Sequence, residues 1–154
     1  MMRLEGGVEI RRPIGEVFEF VADSRNDPMW CERVAWCRQV AGQAPAPGAR
    51  YEALHRPSGN PWAHIRRIEV LDLAPPRSVR WRQADRMGTF DIGYELEAVE
   101  GGTRLWQRDE IEWALPLMGL VGRRIVSRHI GEQHHALRAV LEHERGTVET
   151  QANP

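Results

Sequence analysis

LMGLVGRRIVSRHIGEQHHALRAVLEHE, residues 117–144, reads as one helix. Pro116 stands just before it, where a missing N–H leaves no bond unmade. Met118, Gly122, Ile125, His129, Gln133, Ala136 and Val140 recur on one stripe, and Val126, Ile130, Leu137 and Leu141 widen it. At 1.5 Å per residue the segment is about 40 Å long. A helix of that length with a broad apolar stripe needs an extended surface to lie against.

The preceding chain supplies one. Strand patterns run over Leu4–Arg11, Val34–Val40, Ala49–His55, Trp62–Leu73, Ser78–Gln83, Thr89–Val99 and Thr103–Trp113. Pro57-Ser58-Gly59-Asn60-Pro61 and Gly101-Gly102 are turns, and Pro75-Pro76 ends a strand. Short turns between successive strands predict an antiparallel meander. In the fourth strand the apolar parity shifts between Ile65 and Ile68, which predicts a bulge there. Pro13 opens a short helix carrying Ile14, Val17, Phe18 and Val21. The run Asp23-Ser24-Arg25-Asn26-Asp27-Pro28 breaks it, and a second short helix is expected over Met29–Glu32.

The fold class is therefore α+β: a curved antiparallel sheet of about seven strands around a long C-terminal helix, with two short helices between the first and second strands. Residues 1–146 form one domain, and 147–154 a flexible polar tail.

Several stretches carry a family resemblance. Ile10, Pro13, Val17-Phe18, Val21, Asp23, Asn26 and Trp30 follow a strand-into-Pro-x-x-x-Val-Phe opening, and Gly48 stands where a third strand begins. Pro75-Pro76-Arg77 precedes Val79 and Trp81, and Gly101-Gly102-Thr103-Arg104 forms the last hairpin. Together these resemble the START-like (SRPBCC) superfamily of polyketide cyclases, dehydrases and lipid-transport proteins, whose layout is the Bet v 1-like helix-grip fold. The resemblance covers about residues 4–144. It implies a cavity between sheet and helix for a small hydrophobic molecule, such as a lipid, polyketide or aromatic compound. The superfamily also contains aromatases and cyclases, hormone receptors and plant allergens, so the fold alone does not choose an activity.

Strand parity gives the expected walls. Phe90, Ile92, Tyr94 and Leu96 share a face, as do Val79, Trp81 and Gln83, and Leu105, Gln107, Asp109, Ile111 and Trp113. In the third strand the inward set is Tyr51, Ala53 and His55. The expected ligand contacts are Tyr51, His55, Trp81, Gln83, Phe90, Ile92, Tyr94, Gln107 and Asp109 from the sheet, with Met118, Ile125 and His129 from the helix. The alternative is that large side chains fill the space and the polar groups pair internally.

Asp109 and His129 are the candidates for chemistry. A carboxylate facing inward is costly unless paired or neutral, so Asp109 is a general acid or base, an orienting group, the partner of an arginine, or turned outward by a bulge. His129 is a proton shuttle near neutral pH or a satisfied core histidine. If the two converge, acid–base assistance of a cyclisation or dehydration follows. A protein-interaction module with a vestigial pocket is the third reading.

Other chemistries lack support. His129, His134 and His135 are not spaced to stack ligands on one helical face, and His135 should point to solvent; no metal site and no cofactor are expected. Cys31 and Cys37 have no His or Cys partners that would make a zinc clip. Ser58 and Ser127 have no elbow-like setting for a nucleophile. No glycine loop precedes a helix as phosphate binding requires.

The charge balance argues against a general polyanion binder. All 21 basic residues are arginine, 22 acidic residues offset them, and the net charge is −1, so no nucleic-acid partner is expected. Two cysteines read as reduced thiols of a cytoplasmic protein. No apolar run is long enough for integral membrane association. Six tryptophans, with Trp62 and Trp106 on the convex face or at strand ends, leave a monomer and a homodimer both open.

Overall fold

The computed structural model describes residues 1–56 and 63–151, with side chains as far as residue 143. The expected turn at 57–61, Trp62, and residues 152–154 of the expected tail lie outside the described residues. Strands β1 (Met2–Ile10), β2 (Val34–Ala41), β3 (Arg50–His55), β4 (His64–Ala74), β5 (Ser78–Asp85), β6 (Gly88–Val99) and β7 (Gly102–Trp113) form one sheet in the order β1-β7-β6-β5-β4-β3-β2. Every neighbouring pair is antiparallel. Helix α1 (Ile14–Ala22) and a 3₁₀ helix (Ser24–Met29) stand between β1 and β2, and α2 (Met118–Gln151) follows β7.

The pairing of β6 with β7 sets the inner face. Gly101, at φ 81°, makes the hairpin that a residue with a Cβ would strain. From there Leu96 pairs with Leu105, Tyr94 with Gln107, Ile92 with Asp109 and Phe90 with Ile111, all on the concave side. The strict alternation of β7 places Thr103, Leu105, Gln107, Asp109 and Ile111 inside and leaves their neighbours in solvent. β1 closes the other edge of β7, with Leu4 opposite Asp109 and Gly6 opposite Gln107. At Gly6 a Cβ would stand 3.2 Å from the Ile130 side chain, so the missing side chain brings α2 down onto β1.

The core has two parts. Leu137 and Leu141 of α2 pack with Ile10, Val17, Val21, Leu96 and Leu105. Nearer the start of α2, Ile130 packs with Leu4, Phe90 and Ile111.

Four expectations need correction. The second short helix is Ser24–Met29, not Met29–Glu32, because the Asp23 side chain accepts from the Arg25 N–H at 3.0 Å and starts a new helix inside the expected break. The irregularity in β4 lies between Val70 and Asp72, not between Ile65 and Ile68. Ile65 is exposed and Arg66 points inward, where a carboxylate holds it. The buried side of α2 runs through Gly122, Ile130, His134, Leu137 and Leu141, about one residue round from the expected centre, and Ile125 is exposed. The backbone of α2 continues to Gln151, past the expected end at Glu144.

Candidate functional site

Between the first half of α2 and the concave sheet lies a cavity of about 480 Å³. Its walls come from β3 to β7, from the 3₁₀ helix and the start of β2, and from α2 as far as Gln133. Trp81 meets Tyr94 edge-to-face with centroids 5.1 Å apart, and Phe90 meets Trp113 at 5.8 Å. These T-shaped pairs keep large rings in fixed positions along the wall.

All the expected contacts except Tyr51 border this cavity: His55, Trp81, Gln83, Phe90, Ile92, Tyr94, Gln107, Asp109, Met118, Ile125 and His129. Tyr51 has the expected inward parity but is buried behind the wall, near Asp23, Arg25 and Cys37, and its hydroxyl has no hydrogen-bond partner.

Asp109 points inward and is 5 % exposed. Gln107 Nε2 donates to its two oxygens at 2.9 and 3.1 Å, and Gln107 Oε1 stands 2.7 Å from His134 Nε2. No arginine pairs with Asp109 among the described residues. Burial pushes its carboxyl up to about 6, against the opposing effect of the Gln107 bond. Asp109 and His129 border the same chamber, and no hydrogen bond joins them among the described residues. His129 Nε2 is instead bonded to the Arg33 guanidinium, so its acceptor nitrogen is occupied. Burial, then the Arg33 charge, holds His129 below its ordinary range. The histidine linked to Asp109, through Gln107, is His134. Burial drives His134 down to about 4, so it is a neutral imidazole donating from Nε2.

Several polar residues of the wall were not among the expected contacts. Asp27, in the 3₁₀ helix, borders the cavity, and its carboxyl has no hydrogen-bonding or ion-pair partner among the described residues. Burial, then the nearby Asp23 charge, pushes its carboxyl up to about 8. Arg33 borders the cavity with His129 as its bonded partner and no carboxylate at salt-bridge distance among the described residues. Arg66 reaches in from β4, bonds Asp85 from Nε at 2.7 Å, and lies 4.4 Å over the Phe90 ring. His64 also meets Asp85, at 3.1 Å, and stacks edge-on with His55. Burial, then the Arg66 charge, lowers His55 to about 3.

Asp27 was hidden because an Asp-Pro in a helix-breaking run reads as turn chemistry. Arg66 was hidden because an arginine beside Ile65 reads as the outward residue. His134 was legible: Gly122, Val126, Ile130, His134, Leu137 and Leu141 follow spacings of four and three along one helical face.

The site is an apolar, aromatic chamber with a few fixed polar groups. Asp27 and Asp109 resist ionisation, Tyr94 is kept protonated by burial, and Arg33 has donors left over. These groups suit orientation or proton exchange on a mostly apolar guest.

No curated protein sequence matches the chain. Solved structures match its fold. A START superfamily protein from Mycobacterium smegmatis superposes with a TM-score of 0.80 at 14 % identity, over 92 % of this chain and 97 % of that one. The di-domain ARO/CYC StfQ from the steffimycin biosynthetic pathway gives 0.73 at 15 %, over 94 % of this chain and 51 % of that one. Ara h 8.0201 gives 0.69 at 14 %, over 92 % and 98 %. At such identities the likeness is one of fold. The sequence profile of one family matches residues 1–142, nearly the whole chain, and on that match the protein belongs to the polyketide cyclase/dehydrase and lipid-transport family.

Proposed function

We propose that the chain binds one small hydrophobic molecule, a lipid, polyketide or aromatic compound, in the cavity between the sheet and α2. The observation that carries this reading is the chamber itself. About 480 Å³ lies within the usual range for small-molecule sites, and its walls are mainly aromatic and aliphatic. That volume also weighs against the vestigial-pocket reading, in which side chains fill the space. Native mass spectrometry of freshly purified protein tests the proposal. A single co-purifying small molecule, lost on unfolding, supports it. An empty chain that also fails to bind any of a panel of apolar fluorophores rejects it.

A second reading has one specific observation in its favour. Asp27 and Asp109 border the same chamber, and burial raises both carboxyls, Asp27 to about 8 and Asp109 to about 6, so Asp27 holds its proton the more tightly. Groups poised apart in this way suit general acid and general base roles in a cyclase or dehydrase. The di-domain ARO/CYC protein of like fold is consistent with it. Turnover of a poly-β-keto substrate, lost in Asp27→Asn or Asp109→Asn while apolar binding persists, would separate catalysis from carriage.

A further inference from the structure

The segment from Ala114 to Gly131 contains Arg123, Arg124 and Arg128 and no acidic residue, in a chain whose net charge is −1. Within it Leu115, Leu117, Leu120 and Val121 are turned to solvent, Leu117 at 76 % and Leu120 at 83 % exposure. Large apolar side chains at such exposure, grouped in a short stretch, mark an interaction surface rather than ordinary scatter. Leu120, Val121, Arg124 and Arg128 share the outward side of α2 and Leu117 is exposed just before its first residue, so the apolar groups lie at the tip and the arginines one turn behind. Arg128 pairs with Glu132 at 2.9 Å, whereas Arg123 and Arg124 have no ion-pair partner among the described residues.

The same turns meet the cavity. Met118, Val121 and Ile125 border it, and Val121 and Ile125 are also exposed, so the chamber has its rim here. Among the described residues no helix is long and apolar enough to cross a membrane. The combination is that of a segment that lies on a bilayer: an apolar tip with cations set just behind it.

We infer that this end of the molecule docks on an anionic lipid surface. Leu115, Leu117, Leu120 and Val121 enter the acyl boundary, and Arg123 and Arg124 meet the headgroup phosphates. A second copy fits less well, because a two-fold interface centred on this patch brings its cations toward their own images. Docking opens the rim toward the bilayer interior, but the surface does not depend on the chamber being occupied. It goes beyond the ligand-binding reading and is tested separately from it.

The test is sedimentation of the full chain with phosphatidylcholine vesicles, with and without phosphatidylglycerol. Retention on the anionic vesicles, weak retention on the neutral ones, and release as salt shortens the screening length are expected. Arg123→Gln with Arg124→Gln should weaken anionic-vesicle binding by about thirtyfold. Leu117→Asp with Leu120→Asp should reduce it by about a hundredfold with an unchanged melting temperature. Should the leucine pair fail to fold, the arginine pair carries the test alone. No retention on anionic vesicles, or retention that neither variant alters, overturns the proposal. So does a solution dimer that the leucine variant dissociates, or capture of an acidic protein partner in place of the vesicles.

Discussion

His134 on α2 and Gln107 on β7 share a buried hydrogen bond of 2.7 Å, and it joins the helix to the inner face of the sheet. The amide of Gln107 settles the direction of the chain of bonds. Its Oε1 accepts, so His134 Nε2 carries the proton, and its Nε2 donates to Asp109. Replacing Gln107 by leucine leaves both an imidazole N–H and a buried carboxyl without their partner. The expected loss is about 2–4 kcal/mol of unfolding free energy, read by urea denaturation. Gln107→Glu should restore an acceptor for His134 but set a second acid beside Asp109, so it should be tolerated better at low pH than at high.

Asp27 should have the opposite pH signature to an ordinary salt-bridged carboxylate. Its carboxyl is raised from 3.8 to about 8, chiefly by burial. The folded state therefore holds the proton more tightly than the unfolded chain. Stability from this group is fully present below pH 3.8 and is lost as pH rises toward 8. Asp27→Asn removes the effect. The stability difference, variant minus wild type, should grow between pH 4 and 8 and level off above, leaving the variant more stable at pH 9 by at least about 1 kcal/mol after solvent screening. Thermal melts across pH check this, and a flat difference curve would contradict it. His134 has the reverse sign. Lowered from 6.5 to about 4 by burial, it contributes stability above pH 6.5 that is lost as pH falls toward 4.

These groups show where the sequence was readable. The faces of β6 and β7 were legible because large inward residues recur at every second position from Phe90 to Leu96 and from Leu105 to Trp113, and every inward position assigned there borders the chamber or the core. The length and place of α2 were legible from its apolar repeat. What was not legible depends on partners distant in sequence. Arg66 faces inward only because Asp85, on the neighbouring strand, is there to receive it. Asp27 faces the chamber because the capped 3₁₀ helix turns it there. The bond between His129 and Arg33, which stands just before β2, likewise joins residues 96 positions apart. Tyr51 had the right parity but does not border the chamber, although its cross-strand partner Ile68 does.

The Arg66–Asp85 pair should be costly to break from the acid side. The Asp85 side chain is fully buried, and it also accepts from the Met87 N–H at 2.7 Å. Burial opposes its ionisation, but Arg66, the Met87 N–H and His64 together hold its carboxyl below the ordinary range. Asp85→Ala leaves Arg66 without its counter-charge beside Phe90. The expected loss is about 3–5 kcal/mol. Adding Arg66→Met to it should recover part of that loss, and a double-mutant cycle by denaturant unfolding measures the coupling.

Two glycines of α2 should respond in opposite directions to the same substitution. Helix propensity alone favours alanine over glycine by about 1 kcal/mol at an interior helical position. At Gly131 nothing lies within 4 Å of where the new Cβ would be, so Gly131→Ala should stabilise the protein by up to that amount. At Gly122 the new Cβ would stand 2.8 Å from Cζ2 and 3.2 Å from Cε2 of Trp113. That indole is a rigid ring packed edge-on against Phe90, so it cannot swing aside as a flexible chain end would. The steric penalty should outweigh the propensity gain and destabilise the protein by about 1–2 kcal/mol net. Thermal or urea melts of the two variants give the signs. Equal stabilisation by both would mean that the first turns of α2 do not rest on Trp113, and the roof of the chamber would then be looser than the structure has it.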